Sequence, residues 1–241
     1  MDEPRRFFFV HLQKTGGTAL FQRLRDGVGA AAVYPLPSDQ SGAVAVTDVS
    51  HLIEQFQRNG AHLRVITGHF PLCTTTVLGT PFTTFTILRD PVERTLSLLR
   101  RRKLVEVRFK DLSLEQIYED PGLQVIIRNH MVKMLSLTPD EMTTTPLLAS
   151  VEFDAARLAR AQRNLEHEID VFGLQERFDA FCEQLSSRFG WDLGPARYAN
   201  RTPRAAVSES LRERIAIDNQ CDMELYRFAV DLYETQMRKG P

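Results

Sequence analysis

The chain has 241 residues, a formal net charge of −1 and 43% hydrophobic residues, a composition typical of ordinary globular proteins. The near-neutral balance excludes a protein-wide basic field, so we expect no nucleic-acid partner, although a local basic site stays open. Cys73, Cys182 and Cys221 lie far apart and match neither a disulfide framework nor metal-ligand spacing. We therefore expect reduced thiols and a cytoplasmic protein.

No segment approaches the roughly 20 apolar residues of a membrane span, and the start of the chain lacks a long hydrophobic signal segment. We expect no stable membrane insertion. Repeats, low-complexity tracts and clear linkers are absent from the sequence, which favours one domain over residues 1–241.

The first hundred residues alternate short apolar runs with amphipathic segments, which predicts a parallel sheet with helices packed on it. The predicted strands are Phe7–Leu12, Ala30–Tyr34, Leu63–Thr67 and Phe82–Leu88. The predicted helices are Gly16–Arg25, a segment from Asp48 or Ser50 to about Arg58, and Pro91 to about Lys103.

The second half of the chain is predicted to be mostly helical. Asp154–His167 and Gln175–Phe189 are amphipathic, with Ile169–Phe172 between them as a possible last strand. Gly190–Pro203 is rich in loop-forming residues, and Ser208 to about Met237 predicts one or two further helices.

Polar clusters follow three of the predicted strands: Lys14–Thr18, Gly68-His69 and Arg89-Asp90. Ligands of open α/β sheets bind beyond the carboxyl ends of the strands. The topology therefore predicts that the three clusters converge on one site.

The first cluster has the composition of an anion-binding loop. Gly16 and Gly17 let a ligand approach the backbone, and the following helix offers free N–H groups and a positive dipole end. Thr15 and Thr18 add hydroxyl donors, and Lys14 adds a mobile positive charge. A tight turn with a surface lysine is the structural alternative.

The loop departs from the usual nucleotide-binding pattern, Gly-x-x-x-x-Gly-Lys-Ser/Thr, because its lysine precedes the glycines. In this position Lys14 could face the bond that breaks on the terminal group of a ligand, instead of the β and γ phosphates.

Two segments carry a family resemblance. HLQKTGGT, residues 11–18, resembles the phosphosulfate-binding loop of sulfotransferases, most closely the heparan sulfate 6-O and 2-O branch. TILRDPVERTLS, residues 86–97, resembles the second signature of that family, which holds the ribose 3′-phosphate of the cofactor. Weaker matches extend over nearly the whole chain.

The resemblance implies a P-loop-like three-layer α/β fold, a central parallel sheet flanked by helices, with a mostly helical C-terminal half. It implies 3′-phosphoadenosine 5′-phosphosulfate (PAPS) as sulfate donor and 3′-phosphoadenosine 5′-phosphate (PAP) as product, without a metal. The implied catalytic residues are His69 as base and Lys14 as stabiliser of the leaving oxygen. The implied cofactor-binding residues are Lys14, Thr15, Gly16, Gly17, Thr18, Arg89, Ser97, Arg201 and Thr202.

Geometry agrees with the second signature. Arg89 offers a planar fork to a phosphate, and Ser97 lies eight positions on, about two helical turns, so both point to roughly the same side. The alternative is that Arg89 forms a structural ion pair and Ser97 is a surface hydroxyl. The basic run Arg100–Lys103 is interpreted as a solvated helix end, with attraction of an anionic acceptor or cofactor as the second interpretation.

The acceptor hydroxyl is left open by the sequence. A near-neutral chain suits a polyanion such as heparan poorly, so we expect a small metabolite, a glycan or a lipid as partner, for a soluble bacterial-type member of the family. Oligomeric state is not predicted. Two other function classes stay open: a P-loop nucleotide kinase or hydrolase, for which Asp90 is the candidate magnesium ligand, and a non-catalytic nucleotide-binding module.

Overall fold

The computed structural model describes residues 5–194 and 207–239 and is built on a five-stranded sheet in which all strands are parallel. The strand order is β2-β3-β1-β4-β5. The strands are β1 (Phe7–Val10), β2 (Val33–Tyr34), β3 (Val65–Gly68), β4 (Thr83–Leu88) and β5 (Val171–Leu174).

Helices connect the strands and fill the second half of the described chain. Those before β5 are α1 (Gly17–Leu24), α2 (Ala43–Thr47), α3 (Val49–Asn59), α4 (Thr74–Leu78), α5 (Pro91–Val105), α6 (Leu114–Tyr118), α7 (Pro121–Ile127), α8 (His130–Ser136) and α9 (Ala155–His167). Those after it are α10 (Phe178–Phe189), α11 (Glu209–Asp218) and α12 (Gln220–Lys239).

The side chains of β1 alternate between two apolar cores, one on each face of the sheet. Phe8 and Val10 pack on one face with residues of α3, α8, α9 and α12. Phe7 and Phe9 pack on the other with residues of α1 and α10 and with Trp191. All four β1 residues are buried, as a central strand covered on both faces requires. This arrangement confirms the predicted three-layer α/β fold.

A third apolar cluster joins α5 to helices of the second half. Leu96 and Leu99 of α5 pack with Ile117 of α6, Ile127 of α7 and Ile215 of α11. The helix α5 begins just after the carboxyl end of β4 and therefore connects that end of the sheet to the helical half of the protein.

Most elements of the first half lie where the pattern predicts them, whereas the second half differs in detail. The last strand is Val171–Leu174, two residues later than predicted, and the segment from Ser208 onward forms two helices. The helix α8, with every residue buried, was not predicted. Within the described ranges, no helix is both long and apolar enough to cross a bilayer. All three cysteines are free thiols.

Candidate functional site

The candidate site lies at the carboxyl edge of the three central strands. In the parallel register Val10, the last residue of β1, is level with Gly68 of β3 and Thr86 of β4. The residues that follow, including His11 and His69, therefore emerge side by side at one edge. The structure confirms the convergence that the topology rule predicts.

His69 is fixed by a hydrogen bond to the backbone next to the loop. Its Nδ1 lies 2.9 Å from the carbonyl oxygen of His11, and the two imidazole rings are 4.4 Å apart between centroids. Because a carbonyl can only accept, Nδ1 carries the proton and donates. In the neutral ring Nε2 is then an unprotonated nitrogen with a lone pair, the form that a general base requires.

Burial keeps His69 neutral near pH 7. Burial lowers its pKa, the hydrogen bond to the His11 carbonyl opposes that shift, and the positive charge of Lys14 lowers the pKa further. The side chain is half-buried, so it retains some access from outside.

Unusual backbone geometry shapes the loop between β1 and α1. Lys14 has φ 68° and Gly16 has φ 97°, both in the left-handed region. Glycine adopts that region without a steric cost, whereas lysine does so only where its surroundings hold it there. Lys14 is half-buried at the loop, and Thr18 is exposed on the first turn of α1.

Thr15 differs from its expected role as a hydroxyl donor to the ligand. Its side chain is fully buried, and its Oγ1 donates to the carbonyl oxygen of Leu12 over 2.9 Å. The hydroxyl therefore braces the loop from inside. With none of the residue exposed, Thr15 does not present its hydroxyl to a ligand.

Gly17 makes room for the imidazole of His11. A Cβ at Gly17 would lie 2.0 Å from Nε2 of His11, which no side chain tolerates. The same ring stacks on Phe9 at 5.1 Å between centroids and an interplanar angle of 9°. The His11 ring is thus packed between Phe9 and the start of α1.

His130 also holds the loop, through a contact that the sequence did not indicate. The backbone N–H of Gln13 donates to Nε2 of His130 over 3.0 Å. Burial lowers the pKa of His130 well below 6.5, with the nearby cations Arg94 and Lys133 adding to the shift. A neutral ring is what this contact needs, because a protonated Nε2 could not accept.

Buried polar contacts anchor the start of α8, which carries His130. The carboxylate of Asp222 in α12 accepts the backbone N–H groups of Met131 and Val132 at 3.1 and 2.8 Å. The backbone N–H of Asp222 in turn donates to Oδ1 of Asn129 over 3.0 Å. A carboxylate at a helix N-terminus complements the helix dipole, so α8 is held firmly against α12.

Arg89 contacts the loop directly. Its Nη1 donates to the carbonyl oxygen of Lys14 over 2.9 Å, which brings the two sequence motifs into contact. Its neighbour Asp90 accepts the backbone N–H of Glu93 over 2.9 Å and caps α5. Ser97 is half-buried on the more open face of α5, together with Glu93.

The basic run at the end of α5 also acts on the loop. Burial lowers the pKa of Lys14, and the positive charges of Arg101, Arg89 and Arg102 lower it further, in that order. The interpretation of this run as only a solvated helix end is therefore incomplete. Every charge that shifts the Lys14 pKa is another cation, so the surroundings of the loop suit an anionic group.

Some expectations fall outside what the structure describes. Arg201 and Thr202, expected near the cofactor, lie outside the described residues. Among residues 5–194 and 207–239, no cluster of three or more His, Cys, Asp or Glu side chains is arranged to hold a metal ion.

The loop has the features of a site for an anionic group. The loop of residues 14–18 has two left-handed residues and a surplus of positive charge, and Thr18 is exposed on the first turn of α1; these features fit a phosphate- or sulfate-bearing group. Comparison with known proteins adds no family to this: no family model matches the chain, and the search of curated proteins finds no significant relative.

Proposed function

We propose that this protein is a sulfotransferase that moves a sulfuryl group from PAPS to an acceptor hydroxyl. The observation that carries the proposal is the state of His69: its Nδ1 is bound to the His11 carbonyl, so Nε2 keeps its lone pair, and Lys14 of the loop is near enough to lower the pKa of the ring. A neutral base next to an anion cradle is the pairing that sulfuryl transfer to a hydroxyl requires.

The bound donor supplies an activated sulfur atom whose leaving group is a phosphate oxygen. In the proposed step Nε2 of His69 takes the proton of the acceptor hydroxyl while the acceptor oxygen bonds to sulfur. The ammonium group of Lys14 stabilises the negative charge on the oxygen that departs from sulfur. The proton ends on His69, and the bond between sulfur and the leaving oxygen is the one that breaks.

The remaining residues hold the donor in line. The loop of residues 14–18 and the start of α1 receive the phosphosulfate, and Lys14 adds its charge. Arg89 and Ser97 grip the 3′-phosphate, with the late-loop residues Arg201 and Thr202 assigned to the same side on resemblance alone. Arg101 and Arg102 raise the positive potential around the donor, which their effect on Lys14 supports.

The acceptor is a small metabolite, a glycan or a lipid hydroxyl, and the reaction takes place in the cytoplasm. The free thiols support that compartment. A kinase or hydrolase is less well supported: its candidate magnesium ligand, Asp90, already caps α5.

Ligand-dependent melting tests the cofactor. PAP should raise the melting temperature in the presence of a metal chelator. Stabilisation by ATP only, and only with magnesium, would favour the kinase alternative and contradict the proposal.

Activity is tested with PAPS labelled in its sulfate, screened across hydroxyl acceptors. Label transfer by the wild type and its loss in His69→Ala, with PAP binding retained, is the expected result. An active His69→Ala protein would remove the base assignment, whereas PAP binding without transfer to any acceptor would favour a non-catalytic module.

A further inference from the structure

The segment 100–110, named here the basic tip, combines concentrated positive charge with exposed apolar side chains. It covers the last turn of α5 and the turn that follows. Its single acid is Glu106, and its cations are Arg100, Arg101, Arg102, Lys103, Arg108 and Lys110. The basic tip therefore carries a formal charge of +5 in a protein whose net charge is −1.

Three large apolar side chains of the basic tip face solvent. Leu104 is 67% exposed, Val105 is 50% exposed and Val107 is 91% exposed. Together with Lys103 and Lys110 they line an open depression of about 280 Å³. Val107 is the most exposed large apolar residue of the described chain, and three such residues within four positions form a patch rather than isolated exceptions.

Contacts with the rest of the protein hold the backbone of the basic tip in place, so its exposed side chains have a defined position. Phe109 is buried in the third apolar cluster. Lys103 donates to the carbonyl oxygen of Leu112 over 2.6 Å, and Arg108 pairs with Asp120 at 2.8 Å. The structure thus fixes the turn while leaving its apolar residues uncovered among the described parts of the chain.

We propose that the basic tip docks this protein on the surface of an anionic lipid bilayer. Leu104, Val105 and Val107 would enter the headgroup boundary. The exposed cations Arg101 and Lys110 would face the anionic headgroups. Apolar side chains bordered by lysine and arginine form the pattern of interfacial anchors, which lie on a membrane without crossing it.

Charge and apolar character together favour a bilayer over other anionic partners. A soluble polyanion would engage the cations but would give Leu104 and Val107 nothing to bind. A protein partner with an apolar surface would not need a charge of +5. A bilayer with anionic lipids is the partner that uses both features at once.

Docking would also orient the candidate site. The helix α5 begins beside the loop and ends in the basic tip, where Arg101 and Arg102 act electrostatically on Lys14. A membrane bound at the basic tip would therefore contact the end of α5, and the loop would lie beside the other end of the same helix. The docking proposal does not rest on the proposed sulfotransferase activity, and either can fail without the other.

Vesicle co-sedimentation tests the proposal with the full chain. We expect binding to phosphatidylcholine vesicles that contain about one third phosphatidylglycerol, weak binding to phosphatidylcholine alone, and a decrease as salt is raised. Equal binding to both kinds of vesicle, or none to either, would overturn the proposal. The second result would point to a protein partner instead.

Two variants separate the apolar and the electrostatic contributions. Leu104→Ser combined with Val107→Ser should lower the vesicle partition constant about tenfold or more, and Lys110→Glu should lower it about tenfold. Exposed residues elsewhere provide matched controls: Ile217→Ser for the apolar change, at 74% exposure, and Arg163→Glu for the charge reversal.

The controls should bind vesicles like the wild type, and all variants should keep the wild-type melting temperature because the changed side chains are exposed. Unchanged binding of the Leu104→Ser, Val107→Ser variant would mean attraction by charge alone and would contradict docking. Binding to a soluble polyanion provides the reference for attraction by charge alone. The Leu104→Ser, Val107→Ser variant and the wild type should bind it equally well.

Discussion

Arg89 donates a hydrogen bond of 2.9 Å to the backbone carbonyl of Lys14, so the strand end after β4 holds the loop after β1. The acceptor residue has φ 68°, a conformation that a lysine adopts only where its neighbours stabilise it. Arg89 therefore has two tasks at the candidate site: it braces the loop, and it is the proposed grip for a phosphate.

Replacement of Arg89 should cost more than the loss of one phosphate contact. We expect Arg89→Ala to weaken PAP binding by about 10- to 100-fold, because hydrogen bonds to charged groups contribute about 1.5–3 kcal/mol and the loop also loses its brace. Isothermal titration calorimetry measures this. Ser97→Ala, which leaves the loop bond intact, should have a smaller effect, and equal effects would argue against the bracing role.

Gly17 and His11 should be energetically coupled. Gly17→Ala puts a Cβ 2.0 Å from Nε2 of His11 and should lower the free energy of unfolding by about 1–3 kcal/mol, as overpacking does. A smaller residue at position 11 makes room for that methyl group. The double variant Gly17→Ala, His11→Ala should therefore be more stable than the sum of the single changes predicts.

Urea unfolding of the wild type, both single variants and the double variant completes the cycle. A coupling of about 1 kcal/mol or more is the expected result. Additive effects would mean that the His11 ring moves away without cost, which its stacking on Phe9 argues against.

His130 should contribute to stability through one acceptor atom. His130→Leu leaves the N–H of Gln13 buried without its partner and should cost about 1–3 kcal/mol. His130→Gln supplies an oxygen near the former position of Nε2, so its free energy of unfolding should fall less than that of His130→Leu. Chemical denaturation distinguishes the two, and equal destabilisation would show that ring packing matters rather than the hydrogen bond.

The same histidine should make stability depend on pH. Burial lowers its pKa in the folded protein well below 6.5, so the unfolded chain binds the additional proton in the interval between the two values. Stability therefore falls as the pH falls below about 6.5. His130→Gln should make the dependence shallower than in the wild type, since one titrating group is lost, and an unchanged slope would contradict the assignment.

The proposed transfer should have a pH profile with two limbs. Activity should rise with pH as His69 loses its proton, with a midpoint below 6.5 because burial lowers that pKa. It should fall at high pH as Lys14 loses its proton, with a midpoint below 10.5 because burial and the neighbouring arginines lower that pKa. Steady-state kcat/KM against pH measures both.

Lys14→Arg provides the control for the alkaline limb. A guanidinium stays protonated over the whole range, so any residual activity of this variant should lose the fall at high pH. An alkaline limb that persists would belong to another group.

The sequence predicted the central strands well because each is a short run of apolar or β-branched residues that ends at a turn. Phe7–Val10 and Thr83–Leu88 lie within one to two residues of the predicted strands at each end. The convergence of Lys14, His69 and Arg89 followed from strand order in a parallel sheet. That part of the site can be predicted from local sequence and from the rule that ligands bind beyond the carboxyl ends of parallel strands.

The supporting contacts could not be read from the sequence because they join distant segments. Gln13 and His130 are separated by 117 positions, and no local pattern marks either as a partner of the other. The helix α8 has only seven residues and all of them are buried, including the polar residues His130, Lys133 and Ser136. It therefore has no solvent-facing side of the kind that identifies an amphipathic helix. The hydroxyl of Thr15 was expected to donate to a ligand, but it donates to the Leu12 carbonyl, a contact that residue type alone does not predict.

The buried contacts that anchor α8 affect the free energy of ligand binding at the loop. Because Gln13 is tied to His130, and α8 in turn to Asp222, the loop is coupled to the cooperative core rather than to a locally unfolding segment. The amide proton of Gln13 is then expected to exchange with solvent only in global unfolding. A ligand meets a loop that is already ordered, so little of its binding free energy is consumed in immobilising the chain.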